Sequence, residues 1–157
     1  MKDFTHLDAQ GNPAMVDVGA KTVTHRTARA QSIVRLPDAV TAQFAHDDIQ
    51  TKKGPVFQTA IIAGTMATKR TDELIPLCHS LGLDGCRITI ELVGHDAIIN
   101  CSVSTEGKTG VEMEALVGAS VAALTIYDMC KALSHDIVIA ETKLMAKAGG
   151  KRDFSRE

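Results

Sequence analysis

Two uncharged segments of thirteen residues each, 56–68 and 115–127, constrain the fold of this chain more than any other feature. Both are shorter than the roughly 18 to 20 residues that a membrane-spanning helix requires. A helix without charges needs most of its circumference covered by a sheet, another helix or another subunit. We therefore predict two core helices, one over residues 56–74 that ends before Pro76 and one over residues 112–134.

Alternating apolar and polar residues predict the strands that would cover these helices. Residues 22–36 alternate in this way, and one face of the segment carries Ala28, Ala30, Ser32, Val34 and Leu36. Residues 86–92 and 99–103 alternate on either side of a short turn at 94–96, which predicts a β-hairpin. A last strand-like segment covers residues 137–145.

The connecting segments complete the order of elements. A short helix is predicted over residues 37–48, with Val40 and Phe44 on one face, and a loop over residues 50–55. The resulting order is strand, helix, helix, strand, strand, helix, strand. This is the β-α-β-β-α-β order of a ferredoxin-like α+β fold with one extra helix. We expect an antiparallel sheet with the helices on one face.

Length and composition limit the classes of protein. The 157 residues, 45% of them hydrophobic, fit a single domain over residues 1–157, with an irregular N-terminal arm at 1–20 and a flexible tail at 147–157. A formal net charge of −2 gives no overall attraction to nucleic acid or to an anionic membrane. The N-terminus lacks the apolar core of a signal peptide, and the four cysteines lack metal-ligand spacing. We expect a cytoplasmic protein without a disulfide or a structural zinc.

The charged end of the second uncharged segment is the strongest local signal for chemistry. Asp128 is the first charge after thirteen uncharged positions, and Lys131 lies three residues further on the same helix face. One interpretation is a surface ion pair that contributes well under ~1 kcal/mol. The other is a partly desolvated pair, in which burial lowers the pKa of the lysine so that it can pass a proton.

The other end of that helix carries Glu112 and Glu114, which suit the helix dipole whether or not they form part of a site. Glu114 and Asp128 share a face, but they lie about 21 Å apart along the helix axis. A small ligand that contacts both would need two subunits. Antiparallel packing of this Ala- and Gly-rich helix, with Ala115, Gly118, Ala119, Ala122 and Ala123, against the same helix of a second chain is one way to build such a site, so an oligomer is a hypothesis.

Basic residues in flexible places predict an anion site. The tripeptide at 107–109 imitates the end of a phosphate-binding P-loop, but Ser102 stands where that motif needs Gly. The loop with Gly107 and Gly110 could still donate amides to an anion at a helix N-terminus. The surrounding cations that could hold a triphosphate are Lys21, Arg26, Arg29, Lys52, Lys53, Lys147 and Lys151.

Five strings resemble a known family: MVDVGAK (15–21), KKGPVF (52–57), AGTMATKRTDELIPLCH (63–79), GKTGVEMEALVGASVAALTIYDMCKAL (107–133) and AKAGGK (146–151). The family is that of the MoaC-type cyclic pyranopterin monophosphate synthases of molybdenum cofactor biosynthesis. The resemblance implies a lyase that converts cyclic dihydroguanosine triphosphate, the product of a radical enzyme, into cyclic pyranopterin monophosphate and diphosphate. It also implies a ferredoxin-like fold and a hexamer built from three dimers, with sites at the dimer interface.

The same resemblance implies roles for individual residues. Asp128, Lys131 and Lys53 would carry the acid–base chemistry. The substrate-binding residues would be Leu77, Cys78, His79, Glu112, Met113, Glu114, Lys21, Arg26 and Lys147. No resident metal is implied, although Mg²⁺ could accompany the triphosphate. Pro55 departs from the family pattern beside Lys53 and would stiffen its loop. The alternatives are a non-catalytic ferredoxin-like module that binds a nucleotide, and a purely structural subunit of an oligomer.

Overall fold

An antiparallel five-stranded sheet organises the chain, and the computed structural model describes residues 4–156. In chain order the elements are β1 (Thr24–Arg35), α1 (Asp38–Thr41), β2 (Phe44–Ala45), β3 (Asp48–Thr51), β4 (Gly54–Pro55), α2 (Val56–Thr68), α3 (Thr71–Leu74), β5 (Gly85–Val93), β6 (Asp96–Gly107), α4 (Glu112–Cys130), β7 (Val138–Ala148) and β8 (Phe154–Ser155). The sheet order is β5-β6-β1-β7-β8. The first four of these strands have the arrangement of a ferredoxin-like fold, which confirms the predicted fold class.

The register of the sheet follows from the alternation of residue types. Every second residue of β1 from Ala28 to Val34 is buried, and Ala30 pairs with Cys101 on β6. On β5, Ile88 pairs with the same cysteine from the other side. These side chains point to one face of the sheet, where α2 and α4 pack. The predicted hairpin and the predicted helix-covered face are both confirmed.

The helices α2 and α4 meet through two glycines. A methyl group on Gly64 would lie 2.7 Å from the carbonyl oxygen of Gly118 and 2.6 Å from Ile88 Cδ1. The small residues of α4 face α2 and the sheet, and the fully buried ones are Ala115, Ala119, Ala122 and Ala123. Because elements of their own chain already cover these residues, packing of α4 against the same helix of a second chain would use its other face.

The helix α4 is long and apolar enough to pass a composition test for a membrane span. Half of its most apolar stretch is buried inside the described chain. Its position between α2 and the sheet accounts for its apolar sequence, because a helix covered on most sides needs few charges.

The segment between β1 and α2 differs from the prediction. The helix α1 ends at Thr41, and Phe44 belongs to β2 instead of sharing a helix face with Val40. A tight turn with positive φ at His46 and Asp47 reverses the chain. The strands β2, β3 and β4 then form a small second sheet in that order. Residues 50–55 are therefore part of a hairpin, and the predicted loop there is wrong.

Asp48 joins this small sheet to the start of α2. It is 5% exposed, and its Oδ1 accepts hydrogen bonds from the amides of Ile49 (2.6 Å) and Phe57 (2.7 Å). Its Oδ2 accepts from the amide of Gln58 at 3.1 Å. Two of these three donors belong to the first turn of α2, where backbone amides have no partner within the helix. A carboxylate from another strand thus caps the helix.

Several element ends also differ from the prediction. The helix α2 ends at Thr68, where the Thr71 hydroxyl donates to the Thr68 carbonyl oxygen at 3.0 Å, and α3 follows as a separate turn. The helix α4 ends at Cys130 instead of at residue 134. The strand β7 continues to Ala148, and β8 pairs with it, so the segment predicted as a tail from residue 147 contributes to the sheet.

Candidate active site

Two adjoining cavities lie at the N-terminal end of α4. One, which we call the apolar cavity, has a volume of about 480 Å³, and its wall includes Leu77, Cys78, His79 and Met113. The other, the cationic cavity, has a volume of about 490 Å³, and the cations that line it are Lys21, Arg26, Lys147, Lys151 and Arg152. Three residues line both cavities: Thr109, Gly110 and Glu112.

The segment after α3 supplies one wall of the apolar cavity. The amide of Cys78 donates to the carbonyl oxygen of Ile75 at 3.1 Å, which forms a turn. Pro76 lies within this turn and cannot continue a helix. The turn places Cys78 and His79 beside the first turn of α4. Two of the family-like strings, which are 28 positions apart in sequence (79 to 107), therefore meet at one cavity.

Glu114 lies beside this wall in the first turn of α4 and is only 3% exposed. The Cys78 thiol donates to Oε1 of Glu114 at 3.7 Å, while Oε2 is buried and has no partner among the described residues. Burial raises the pKa of Glu114. Burial, together with the Glu114 carboxylate, raises the pKa of Cys78 to about 11. Cys78 is therefore a thiol at neutral pH and a weak nucleophile.

Arg26 gives the cationic cavity an unfilled hydrogen-bond donor. Its Nη2 donates to the carbonyl oxygen of Lys108 at 3.2 Å, whereas its Nε is buried and has no acceptor in residues 4–156. A buried donor without an acceptor costs roughly 1–3 kcal/mol. Five cations and one carboxylate, that of Glu112, line this cavity. This excess of positive charge favours an anionic ligand.

A glycine contact holds the loop after β7 against the start of β1. Gly149 has a φ of +91°, and a side chain there would collide with the His25 carbonyl oxygen. The Thr24 hydroxyl donates to the Gly149 carbonyl oxygen at 2.7 Å. On the other side of the cationic cavity, Lys147 pairs with Glu112 at 3.0 Å. The loop, β1 and α4 therefore fix the positions of the cations.

The remaining predicted residues form a separate group, which we call the C-terminal cluster: Lys53, Asp128 and Lys131. Lys131 Nζ lies 2.8 Å from Oδ1 of Asp128, and Lys53 Nζ lies 3.8 Å from its Oδ2. Lys53 Nζ also donates to the Asp128 carbonyl oxygen at 3.2 Å. The β3–β4 hairpin presents Lys53, and the end of α4 presents the other two. Tyr127, half-buried against the core, directly precedes Asp128.

The C-terminal cluster is exposed within one chain. The side chains of Asp128 and Lys131 are 60% and 49% exposed. The hydrogen bond and charge of Lys131, followed by the charge of Lys53, lower the pKa of Asp128. The same hydrogen bond raises the pKa of Lys131. The hypothesis of a desolvated lysine with a lowered pKa is therefore wrong for the single chain, where both groups are charged at neutral pH.

The structure thus divides the predicted site residues between the two ends of α4. Nine lie at or beside the two cavities: Lys21, Arg26, Leu77, Cys78, His79, Glu112, Met113, Glu114 and Lys147. The C-terminal cluster lies at the opposite end, about 21 Å away along the helix axis. No small ligand can touch both ends of one chain.

Two cavity residues had no sequence signal strong enough to single them out. His6, in the N-terminal arm, lines the apolar cavity, and Arg152 lines the cationic one. Arg152 follows the basic string at 146–151, so extending that string by one residue would have found it. His6 lies far from every other site residue in sequence, and only the path of the arm brings it there.

Within residues 4–156, no group of three His, Cys, Asp or Glu side chains is placed to hold a metal ion. All four cysteines are free thiols. Cys78 and His79, the one adjacent Cys–His pair, both line the apolar cavity, where the thiol is engaged with Glu114.

Comparison with known proteins identifies the family. The MoaC family model matches residues 15–150, which is most of the chain and includes both ends of α4. The chain belongs to the MoaC family. A protein of Xanthomonas axonopodis pv. citri named cyclic pyranopterin monophosphate synthase is 59% identical over 152 residues, which cover 96% of this chain and 92% of that protein.

Longer members of the family contain the same region. A Synechocystis protein named molybdenum cofactor biosynthesis bifunctional protein is 53% identical over 98% of this chain and 46% of its own length. A Drosophila melanogaster protein named molybdenum cofactor biosynthesis protein 1 is 52% identical over 98% of this chain and 27% of its own length. Both of these longer proteins are named for molybdenum cofactor biosynthesis, and the family predicted from the sequence is confirmed.

Proposed function

We propose that this chain is the lyase of molybdenum cofactor biosynthesis that converts cyclic dihydroguanosine triphosphate into cyclic pyranopterin monophosphate and diphosphate. Family membership and the names of close relatives support this activity. The observation that carries it is a cavity lined by five cations, next to a cavity of similar size that is lined by Leu77, Cys78, His79 and Met113. A purine-derived triphosphate would place its phosphates in the cationic cavity and its rings in the apolar cavity.

The charges of the cationic cavity suit both the substrate and the departing diphosphate. Lys21, Arg26 and Lys147 would neutralise phosphate oxygens, and charge-assisted hydrogen bonds of this kind are about twice as strong as neutral ones. Stabilising the negative charge that accumulates on the leaving group lowers the barrier to its release. We propose that the apolar cavity holds the purine-derived rings between His79 and Met113.

We propose that the C-terminal cluster reaches the cavities of a partner subunit. An antiparallel arrangement of two α4 helices about a two-fold axis near residue 121 would place Asp128 of each chain beside Glu114 of the other. In that position Asp128 is an ionised base, and Lys53 and Lys131 are cations that can donate protons or hold phosphate oxygens. Burial by the partner would remove water from these charges and oppose the raised pKa of Lys131.

The outer faces of α2 and α4 support such an interface. Their exposed apolar residues lie on the side away from the sheet, and the most exposed are Ile62, Met66 and Leu124. Ile62 and Met66 are four residues apart and share one face of α2, and exposed apolar faces of this kind can serve as interaction surfaces. We propose that the dimers assemble further into a hexamer of three dimers, which sedimentation velocity would test.

Subunit mixing tests the composite site. At a substrate concentration well below KM, Asp128→Asn chains alone are expected to be inactive, and Arg26→Ala chains alone to keep about one thirtieth of wild-type activity. Co-expression of the two should raise the activity above that of either chain. In a mixed dimer one site has an intact cavity and an intact partner cluster, so random pairing gives about one quarter of wild-type activity. A site built within one chain would give no restoration. Wild-type chains mixed with wild-type chains provide the reference.

Turnover itself is tested by incubating the pure protein with the radical enzyme's product. Diphosphate release and a fluorescent pterin product are expected. A folded protein that binds the triphosphate without releasing diphosphate would instead support a non-catalytic nucleotide-binding module. A structural subunit would show no phosphate-dependent heat of binding by calorimetry.

We propose that the reaction needs no resident metal, because the lysines and arginines at the two ends of α4 can supply the positive charge. Mg²⁺ would then bind only as a counterion of the triphosphate. Turnover should persist after exhaustive chelation and removal of the chelator, and loss of all activity that only a transition metal restores would overturn this proposal.

We propose a cytoplasmic location, which suits four free thiols and a nucleotide-derived substrate. Cell fractionation with antibodies against the chain would test it.

A further inference from the structure

The string MVDVGAK at 15–21 has no role in the proposed function beyond Lys21, although its backbone passes beside both cavities. The carbonyl oxygen of Val16 accepts a hydrogen bond from His79 Nε2 at 2.6 Å. The carbonyl oxygen of Gly19 accepts one from Lys108 Nζ at 3.0 Å. Asp17 fixes the turn between these two carbonyls, because the Gly19 amide donates to its Oδ1 at 2.7 Å.

The contact with Val16 determines which nitrogen of His79 carries the proton. A carbonyl oxygen can only accept a hydrogen bond, so Nε2 must be the protonated nitrogen of the ring. In the neutral imidazole the lone pair then lies on Nδ1. His79 also lines the apolar cavity. A ring that lines the cavity therefore has one nitrogen held by the arm and a lone pair on the other.

The contact with Gly19 links the arm to a residue of the cationic cavity. Lys108 donates to the arm through Nζ, and its own carbonyl oxygen accepts the hydrogen bond from Nη2 of Arg26. The arm, Lys108 and Arg26 are therefore linked in series. Most of residues 15–19 are exposed, and only Val16 and Val18 are half-buried. A segment with so little burial depends on its hydrogen bonds for its position.

We propose that residues 15–19 form a strap that positions the substrate-binding side chains: the Val16 carbonyl holds His79 with Nε2 protonated and Nδ1 available to the ligand, and the Gly19 carbonyl holds Lys108 and, through it, Arg26. This proposal rests on the proposed function for the identity of the ligand. The tautomer and the placement of Arg26 are properties of the protein alone.

The tautomer is the first test. Nitrogen-15 NMR of the histidine rings in full-length wild-type protein distinguishes a proton on Nε2 from one on Nδ1, and the His79→Gln variant assigns the signals by their loss. The neutral His79 ring is expected to be protonated at Nε2. A ring protonated at Nδ1, or an averaged mixture, overturns the proposal. This measurement needs no turnover, so it is independent of the proposed function.

The second test removes the turn of the strap. In Asp17→Ala, both strap carbonyls lose their fixed separation, so the His79 signals should shift toward a mixture of tautomers. The value of kcat/KM should fall about tenfold through poorer orientation of the substrate. Asp8→Ala is the matched control, because Asp8 is also an exposed arm carboxylate that accepts backbone amides, those of Gln10 and Asn12, but it lies outside the strap.

The outcomes separate the two proposals. If wild-type protein turns over and Asp17→Ala equals Asp8→Ala in both tautomer and kcat/KM, the strap proposal is overturned. If wild-type protein does not turn over, the proposed function fails, and the tautomers of the wild type and the two variants still decide the strap proposal. His79→Gln adds a check, because the glutamine amide can donate to Val16 but has no acceptor at the Nδ1 position. It should keep the arm protected from proteolysis while losing activity.

Discussion

The two ends of α4 differ in how completely their polar groups are satisfied. At the N-terminal end, Glu114 and Arg26 each have a buried atom without a partner in the described chain. At the C-terminal end, Asp128 is exposed and lies between two lysines. Glu112 and Arg26 at the N-terminal end also line cavities in which a ligand can bind. Exposed, paired charges indicate groups that are ready to be brought to such a place.

The carboxylates at the two ends also titrate in opposite directions. Burial raises the pKa of Glu114, whereas Lys131 and Lys53 lower that of Asp128. The chain thus has one carboxyl group, that of Glu114, that tends to hold its proton, and another, that of Asp128, that is reliably ionised. An active site that uses both would combine a hydrogen-bond donor or acceptor with a base.

The largest effect is expected from removing a charge at the exposed end. Lys131→Ala should lower kcat/KM by about a thousandfold, because acid–base and charge-stabilising groups contribute roughly 10²–10⁴-fold. The unfolding midpoint should not change, because the side chain is exposed. Steady-state kinetics and thermal unfolding measure the two. Lys69→Ala is the matched control, since Lys69 also follows a helix end, and its kinetics should equal the wild type. Equal kinetics for both variants would remove Lys131 from the mechanism.

The support of the exposed end is tested by Asp48→Ala. This change removes three hydrogen bonds to a buried carboxylate that joins the Lys53 hairpin to α2. The free energy of unfolding should fall by about 3 kcal/mol, because buried amides lose their acceptor. Urea denaturation checks it. Asp84→Ala, which removes an exposed acceptor of the Glu106 amide alone, should cost less than about 1 kcal/mol. Equal losses would contradict the capping role.

The buried end is tested by Arg26→Ala. Loss of the unfilled donor and its charge should raise KM about thirtyfold and change kcat less, because uniform binding energy is removed. Arg35→Ala is the control on the same strand, where Arg35 pairs with Asp96 far from the cavities. A KM equal to the wild type in both variants would mean that the anion binds elsewhere.

The proposed interface between two subunits is tested by Leu124→Glu on the outer face of α4. Its side chain is 57% exposed, so the single chain should fold, but two carboxylates would meet at a two-fold axis. Dimers should dissociate in sedimentation velocity, with loss of activity. Val93→Glu, at a residue 55% exposed on β5, is the matched control and should keep the assembly. Intact assembly in Leu124→Glu would place the interface on another face.

The smallest effect is a change of stability with pH. The folded-state pKa of Glu114 lies above its ordinary value of 4.5, so the folded protein holds a proton that the unfolded chain releases. Below pH 4.5 both states hold this proton, and Glu114 costs the folded state no stability. Stability is then lost as the pH rises through the folded-state pKa of Glu114. Glu114→Gln should therefore gain stability relative to wild type as pH rises. Urea midpoints between pH 4 and pH 8 measure it, and a constant difference would contradict a raised pKa.

The long strands and the main helices could be predicted because their periodicity is set by burial. The alternation in β1 predicts which of its residues face the helices, and the structure buries those residues. The strands β2 and β4 have two residues each, too few for any period to appear. The link from Asp48 to α2 joins residues nine and ten positions apart, and no local rule contains it.

The grouping of the site residues was only partly predictable. Spacing along one helix correctly separated Glu114 from Asp128, because α4 is continuous between them. The exposure of Asp128 and Lys131 was not predictable, since the buried face of α4 continues to Met129 and Cys130 while the charged residues beside them lie on the outer side. The role of the Val16 carbonyl was also out of reach, because a backbone oxygen has no signature in the side-chain sequence.

The position of Tyr127 makes this residue a useful fluorescence probe. It is the only tyrosine, and the chain has no tryptophan, so ultraviolet emission excited near 280 nm comes chiefly from one ring beside Asp128. Any event that changes solvent or charge around that end of α4 should alter its intensity. The unlabelled protein thus contains a single optical reporter at the place where a neighbouring chain or a ligand would arrive.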